Sequence, residues 1–169
     1  MPERNTRFFL KDKEAKALLD RASRRLKADF KQILAGNPGI EVIRTEVAQI
    51  FLANGKPLLI EADGNLYPSL VSNELLTIMP KVIVDMGAVP YVCKGADVMA
   101  PGIRRYEKDF GKGDLVVIID EKYGKAVAIG EALFDREEAM KVNRGIVVKN
   151  VHFVSDKTWN RIKELQAKT

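Results

Sequence analysis

The stretch Cys93-Lys94-Gly95-Ala96-Asp97-Val98-Met99-Ala100-Pro101-Gly102-Ile103-Arg104-Arg105 holds the residue types most suited to chemistry. Gly95 and Gly102 permit backbone conformations, or a close approach by a ligand, that a Cβ would block. Pro101 fixes the turn into the following segment. The spacing from Asp97 to Ala100 predicts one helical turn, and a turn whose amides point outward suits phosphate. Lys94, Arg104 and Arg105 flank it with positive charge. That chemistry is anion binding rather than bond making. A second reading explains the same residues as a barrel-closing turn with incidental cations, and residue types alone leave the two level. The stretch is not a P-loop, because no Gly-Lys-Ser/Thr follows at the required distance.

The remaining reactive types argue against catalysis. Cys93 is the one cysteine and His152 the one histidine. They exclude an intrachain disulfide and cannot supply the four ligands of a Cys/His zinc site. Cys93 follows Tyr91-Val92 and reads as a small apolar residue at a strand end. His152, between Val151 and Phe153, reads as a structural histidine. Turns and surface strands account for Glu41, Glu46, Glu61 and Asp63. No metal, organic cofactor or enzymatic activity is expected. Tyr106 and Phe110 are the aromatics best placed to meet a nucleic acid, although burial is the favoured reading for both. Trp159, at helical spacing from Ile162, reads as a core anchor.

The elements that must position the segment follow from periodicity. Arg7 to Leu10 is a short strand. Asp12 caps a helix whose apolar stripe runs through Ala15, Leu18, Leu19, Ala22, Leu26, Phe30, Ile33 and Leu34, ending at Gly36 and Pro38. Its other face carries Lys13, Lys16, Arg21, Arg24, Lys27 and Lys31, read first as a solvated face. Val42-Ile43, Ile50 to Leu52 and Leu58 to Ile60 read as strands joined by Asn54-Gly55 and Asp63-Gly64 hairpin turns. A short helix spans Asn73 to Met79 and stops at Pro80. Beyond it, strands are expected at Val82–Val84, Val89–Val92, Ile103–Tyr106, Leu115–Ile119, Ala126–Leu133, Ile146–Val148 and Val151–Val154. A helix opening at Asp135 with Glu138 in capping-box position closes at Gly145. A last helix covers Asp156 to Leu165. Many short strands with few helices predict a small, closed or nearly closed barrel.

The chain has 169 residues, 46% hydrophobic and 30% charged, with a net charge of +5. That describes a globular protein with a bias towards a polyanionic partner. No apolar stretch approaches the roughly 20 residues that span a bilayer, so a soluble cytoplasmic protein without membrane contact is expected.

Residues 95 to 103, Gly-Ala-Asp-Val-Met-Ala-Pro-Gly-Ile, resemble the glycine-loop signature of PUA domains, an RNA-binding module. Gly113 to Ile118 and Ala126 to Gly130 look like later strands of that domain. Lys141-Val142-Asn143-Arg144-Gly145-Ile146, Asn150-Val151-His152-Phe153, Asp156 and Trp159 resemble the closing segment of the malignant-T-cell-amplified-sequence family. Asn37 to Glu41 and Leu66 to Leu70 resemble phrases that precede the PUA domain in that family. The Lys-, Arg- and Glu-rich chain looks like an archaeal member.

The resemblance implies an α+β protein in which a small α/β pre-PUA domain, residues 1–81, packs on a C-terminal PUA pseudo-barrel with a closing helix, residues 82–169. It implies binding of structured RNA, rRNA or tRNA, and of the small ribosomal subunit, in translation initiation, re-initiation or recycling. Eukaryotic members partner a density-regulated protein, and a protein partner on the N-terminal domain is a further expectation. The RNA-facing residues it brings are Gly95, Ala96, Asp97, Pro101 and Gly102. Met99 and Ile103 lie in the same stretch and join the candidate set. Lys94, Arg104 and Arg105 enter on charge and proximity. The rival expectation is an adaptor or accessory subunit for an RNA-modifying enzyme.

Overall fold

The computed structural model describes residues 6–167. They form two compact units divided between Ile78 and Met79. The first unit runs β1 (Thr6–Phe9), α1 (Asp12–Leu26), α2 (Phe30–Ile33), β2 (Ile40–Arg44), β3 (Gln49–Ala53), β4 (Lys56–Ala62), β5 (Asn65–Pro68) and α3 (Asn73–Ile78). Its sheet has the order β1-β2-β3-β4-β5, antiparallel throughout. The two hairpin turns form as the dipeptides require: Asn54 and Gly55 have φ of 53° and 76°, Asp63 and Gly64 of 51° and 77°. Leu18 and Ala22 of α1 pack with Phe30, Val42, Phe51, Leu59 and Leu75 into one core.

The long helix expected through Leu34 is two helices. Lys27 takes a left-handed conformation, φ 51°, and stops α1. The Asp29 carboxylate then accepts the Lys31 amide at 2.9 Å and starts α2. Leu26 and Phe30 keep helical spacing across the break, so the apolar stripe conceals it. Asp12 is the first residue of the helix rather than its cap; the Lys11 amide before it donates to Glu14 at 3.3 Å.

The second unit runs β6 (Lys81–Val84), α4 (Val89–Val92), β7 (Val98–Met99), a 3-10 turn at Ala100–Gly102, β8 (Ile103–Glu107), β9 (Leu115–Asp120), β10 (Ala126–Ala132), α5 (Arg136–Ala139), β11 (Ile146–Phe153) and α6 (Lys157–Ala167). Its sheet has the order β7-β11-β10-β9-β6-β8. Only the β6–β9 pair is parallel. β7 and β8 are the two edges of this sheet, yet the 3-10 turn alone separates them in sequence. From Met99 to Ile103 the chain spans at most about 15 Å. Six strands laid flat would place their edges about 24 Å apart. The sheet therefore curls into an open half-barrel around Val82, Val84, Val116, Ile118, Ala128 and Val148.

Four expectations for this unit change. Val89–Val92 is a helical turn, not a strand, with Pro90 in its first turn, where a missing N–H costs nothing. The strands expected at Ile146–Val148 and Val151–Val154 are one strand, β11, bulged where it passes Ile129 and Gly130. The Asp135 carboxylate takes the Lys112 amide at 2.7 Å instead of closing a capping box, and α5 ends at Ala139, before Gly145. Trp159 is half-buried with Lys163 over its ring, while Ile162 fills the core position.

Gly130 marks the tightest strand crossing. A Cβ there would meet the Val148 side chain and lie 2.9 Å from the Lys149 carbonyl oxygen. Gly130→Ala should destabilise the second unit by about 1–3 kcal/mol. A thermal melt would read this as a drop of roughly 4–8 °C per kcal/mol; an unchanged melt would mean that β11 yields without cost.

Asp156 joins β11 to α6. It accepts from His152 Nδ1 at 2.7 Å, the Phe153 amide at 3.0 Å and the Trp159 amide at 2.7 Å. Burial alone would raise its pKa, but the His152 hydrogen bond and charge and the two amides outweigh it and hold the carboxyl below its usual range. A depressed folded pKa gives stability that is full above the unfolded value and is lost as pH falls through the folded one. The melting temperature of Asp156→Asn should therefore lie below wild type at neutral pH, with the gap closing under acid conditions below about pH 4. A gap independent of pH would show that the ionised carboxylate is not what matters.

Candidate nucleic-acid interface

The segment read as chemical lies on the surface of the second unit, between α4 and β8. Its position is fixed from both ends. At the entrance, the Asp85 carboxylate accepts the Ala88 amide at 2.8 Å and so starts α4. At the exit, the Gly102 carbonyl accepts the Asp85 amide at 2.9 Å. In the middle, β11 holds the loop: the Asp97 carboxylate accepts the Asn150 amide at 2.8 Å. Asn150 Nδ2 donates to the carbonyls of Val92 and Ala96, both at 3.0 Å. The loop is thus bonded into the half-barrel rather than draped over it.

This bonding corrects the expected mechanism. Asp97 to Ala100 is not a helical turn but strand β7 followed by the start of the 3-10 turn. The amides of Lys94, Gly95 and Ala96 donate to the carbonyls of Tyr91, Val92 and Tyr91, and the Ala100 amide to Gly145. These amides are already used within the fold. Both glycines also have reasons inside the fold. Gly95 has φ +97°, and a Cβ there would lie 3.2 Å from the Phe153 ring. Gly102 sits so close to the start of α4 that a Cβ would meet that of Ala88 at 3.1 Å.

The ten candidate residues divide by exposure. Lys94, Gly95, Ala96, Met99, Pro101, Arg104 and Arg105 are exposed; Asp97, Gly102 and Ile103 are half-buried. Two of the three cations are ion-paired. Arg104 lies at a bulge where β8 passes β6, and its Nε bonds Glu121 at 3.1 Å. Arg105 Nε bonds Glu107 at 3.3 Å. Both pairs are exposed and therefore exchangeable, each contributing at most about 1 kcal/mol. Lys94 has no carboxylate partner among the described residues.

Three surface residues beside the loop, Tyr91, Ile146 and Arg144, lie outside the ten candidates. Tyr91 is 68% exposed, and its carbonyl receives the Lys94 and Ala96 amides. Met99 pairs with Ile146 across the β7–β11 ladder, and the two are 48% and 42% exposed. Arg144 precedes the Gly145 carbonyl that binds Ala100, and it too is exposed. Tyr91 was hidden by reading its helical turn as a strand; Pro90 was the available signal. Of the aromatics considered instead, Phe110 is buried and Tyr106 half-buried against the core. Tyr106 packs on Phe110 with ring centroids 5.6 Å apart, and burial raises the Tyr106 pKa. Cys93 packs against the core, and burial raises its thiol pKa, the opposite of an activated nucleophile. No cluster of three or more His, Cys, Asp or Glu suited to a metal occurs among the described residues. No described helix is long and apolar enough to cross a membrane.

Comparison with known proteins places both units. Residues 80–154 match the PUA domain family. Residues 6–72 match a domain of unknown function, DUF1947. An uncharacterised protein of Methanocaldococcus jannaschii is 32% identical over 91% of this chain and 95% of its own length. Translation machinery-associated protein 20 of Saccharomyces cerevisiae is 34% identical over 72% of this chain and 71% of its own. Malignant T-cell-amplified sequence 1 of Rattus norvegicus is 29% identical over 76% of this chain and 74% of its own. The crystal structure of a PUA-domain protein from Aeropyrum pernix, solved with tartrate, superposes with a TM-score of 0.79 at 29% identity, covering 96% of this chain and 93% of that one. The chain belongs to the PUA-domain family that includes translation machinery-associated protein 20 and the malignant T-cell-amplified sequences.

Proposed function

We propose that this protein acts in translation by binding structured RNA on the glycine-loop face of its PUA domain, and that it works by binding alone, without catalysis. The observation that carries the reading is the surface around the loop. A rigidly bonded ridge presents Lys94 without a carboxylate partner beside exposed Tyr91, Met99, Pro101 and Arg144. Cations fix phosphates, and an exposed aromatic offers a stacking platform for an unpaired base. Arg104 and Arg105 contribute at the flank, exchanging Glu121 and Glu107 for phosphate oxygens. Asp97 and Gly102 support the ridge from behind. The RNA we assign is ribosomal or transfer RNA, met on the small ribosomal subunit, and a protein partner is assigned to the first unit. The likeness to a translation machinery-associated protein supports this choice.

The test is binding of the full chain to a labelled RNA stem–loop with a single-stranded 3′ tail, and to small ribosomal subunits, at two salt concentrations. Each phosphate contact should add about −0.7 to −0.9 to the slope of log affinity against log salt. Lys94→Glu with Arg144→Glu should lower affinity at least about tenfold, or about 1.4 kcal/mol. Arg104→Glu with Arg105→Glu should also weaken binding. Tyr91→Ala should cost about 1–3 kcal/mol if a base stacks there. Gly95 is a poor site for the test, since a side chain there disturbs Phe153 before any RNA arrives. Unchanged affinity in all three surface variants, with the fold intact, would remove RNA from this face.

A further inference from the structure

The first unit carries a charged groove that the glycine-loop site does not use. Arg21, Arg24 and Arg25 stand at i, i+3 and i+4 on α1 and so share one side of the helix. With Gly64, Asn65 and Leu66 of the β4–β5 hairpin they line a groove of about 390 Å³. Glu61 tempers it at Arg21, whose Nη1 its Oε2 holds at 2.8 Å. Like charges three and four residues apart weaken a helix by a few tenths of a kcal/mol each. The negative end of the helix dipole offsets this for Arg24 and Arg25, which lie in the last turn. It does not explain why the three guanidinium groups line one groove with a hairpin turn. That turn is open: nothing lies within 4 Å of the position a Cβ would take on Gly64.

We propose that this groove is a second RNA contact, which takes a phosphodiester segment between the arginine forks and the Gly64–Asn65 turn. The proposal rests on the RNA-binding reading above and extends it to the other unit. Guanidinium forks match phosphate oxygens two at a time. Asn65, exposed at the turn, supplies an amide for a sugar or base edge. An acidic protein segment fits less well. A protein interface is anchored by large side chains in desolvated pockets, and the one apolar member of this lining, Leu66, is itself 6% exposed and committed to the core. RNA needs only cations and open backbone.

The experiment uses the full chain, the same labelled stem–loop RNA and a salt series between about 50 and 200 mM. Arg24→Gln with Arg25→Gln should make the salt slope shallower by roughly 1.4 to 1.8, the worth of two phosphate contacts, and lower affinity at least about tenfold. Arg24→Glu with Arg25→Glu should do more; if that pair melts early, the glutamine pair decides. Lys13→Glu with Lys16→Glu, on the same helix outside the groove, should change the slope by less than half as much. If wild type binds and Lys94→Glu with Arg144→Glu weakens it while the groove variants match wild type, the groove is not an RNA site and the glycine-loop reading stands. If wild type shows no salt-sensitive binding at all, both readings fall. If polyglutamate displaces RNA from the loop-reversed protein as well as unlabelled RNA does, the groove is a surface for acidic chains and the proposal is wrong.

Discussion

The short link between the two edges of the second sheet is the constraint on which the rest depends. Three residues, Ala100 to Gly102, join the end of β7 to the start of β8, although four strands lie between them in the sheet. A chain cannot cross a flat sheet in that distance, so the sheet bends until its edges approach. Hydrophobic burial fills the inside of the bend with Val, Ile and Ala side chains, but burial is indifferent to direction. The link supplies the direction. The candidate RNA face is built on this link and is bonded into the sheet at both ends and in the middle.

That origin changes what the loop residues mean. Asp97 and Asn150 are polar residues in a surface segment and resemble ligand-binding groups by type. Their hydrogen bonds instead tie the loop to β11 and satisfy the carbonyls of Val92 and Ala96. Gly95 and Gly102 already stand tight against Phe153 and Ala88 before any ligand is considered. A signature of this kind records how the surface is held in place. The side chains of Tyr91, Lys94, Met99 and Arg144 are left exposed around it.

Much of this was legible in the sequence. Asn54-Gly55 and Asp63-Gly64 each need positive φ at both positions, and both hairpins form where those dipeptides stand. The runs Val82–Val84, Leu115–Ile119 and Ala126–Leu133 become β6, β9 and β10 with ends shifted by a residue. What was not legible shares one cause: local pattern competing with distant contacts. A four-residue apolar run such as Val89–Val92 has no period to distinguish helix from strand. Lys149-Asn150 looks like a break between two strands, yet β11 continues, its Asn150 backbone amide and Nδ2 donating to a loop more than fifty residues earlier. The helix break at Lys27 was hidden because the stripe kept its register across it. Charge placed Arg104 and Arg105 with Lys94 as open cations; Glu121 and Glu107, distant or unremarked in the sequence, pair with them.

The edges brought together by the link are also unlike ordinary sheet edges. β7 is two residues long, too short to template another strand. β8 carries Arg104, Arg105 and Glu107 outward along a bulged rim. Charge and irregularity at an edge discourage a neighbouring molecule from adding its own strand. The second unit can therefore keep an unclosed sheet in a crowded cell without becoming the seed of a stacked, fibre-like assembly.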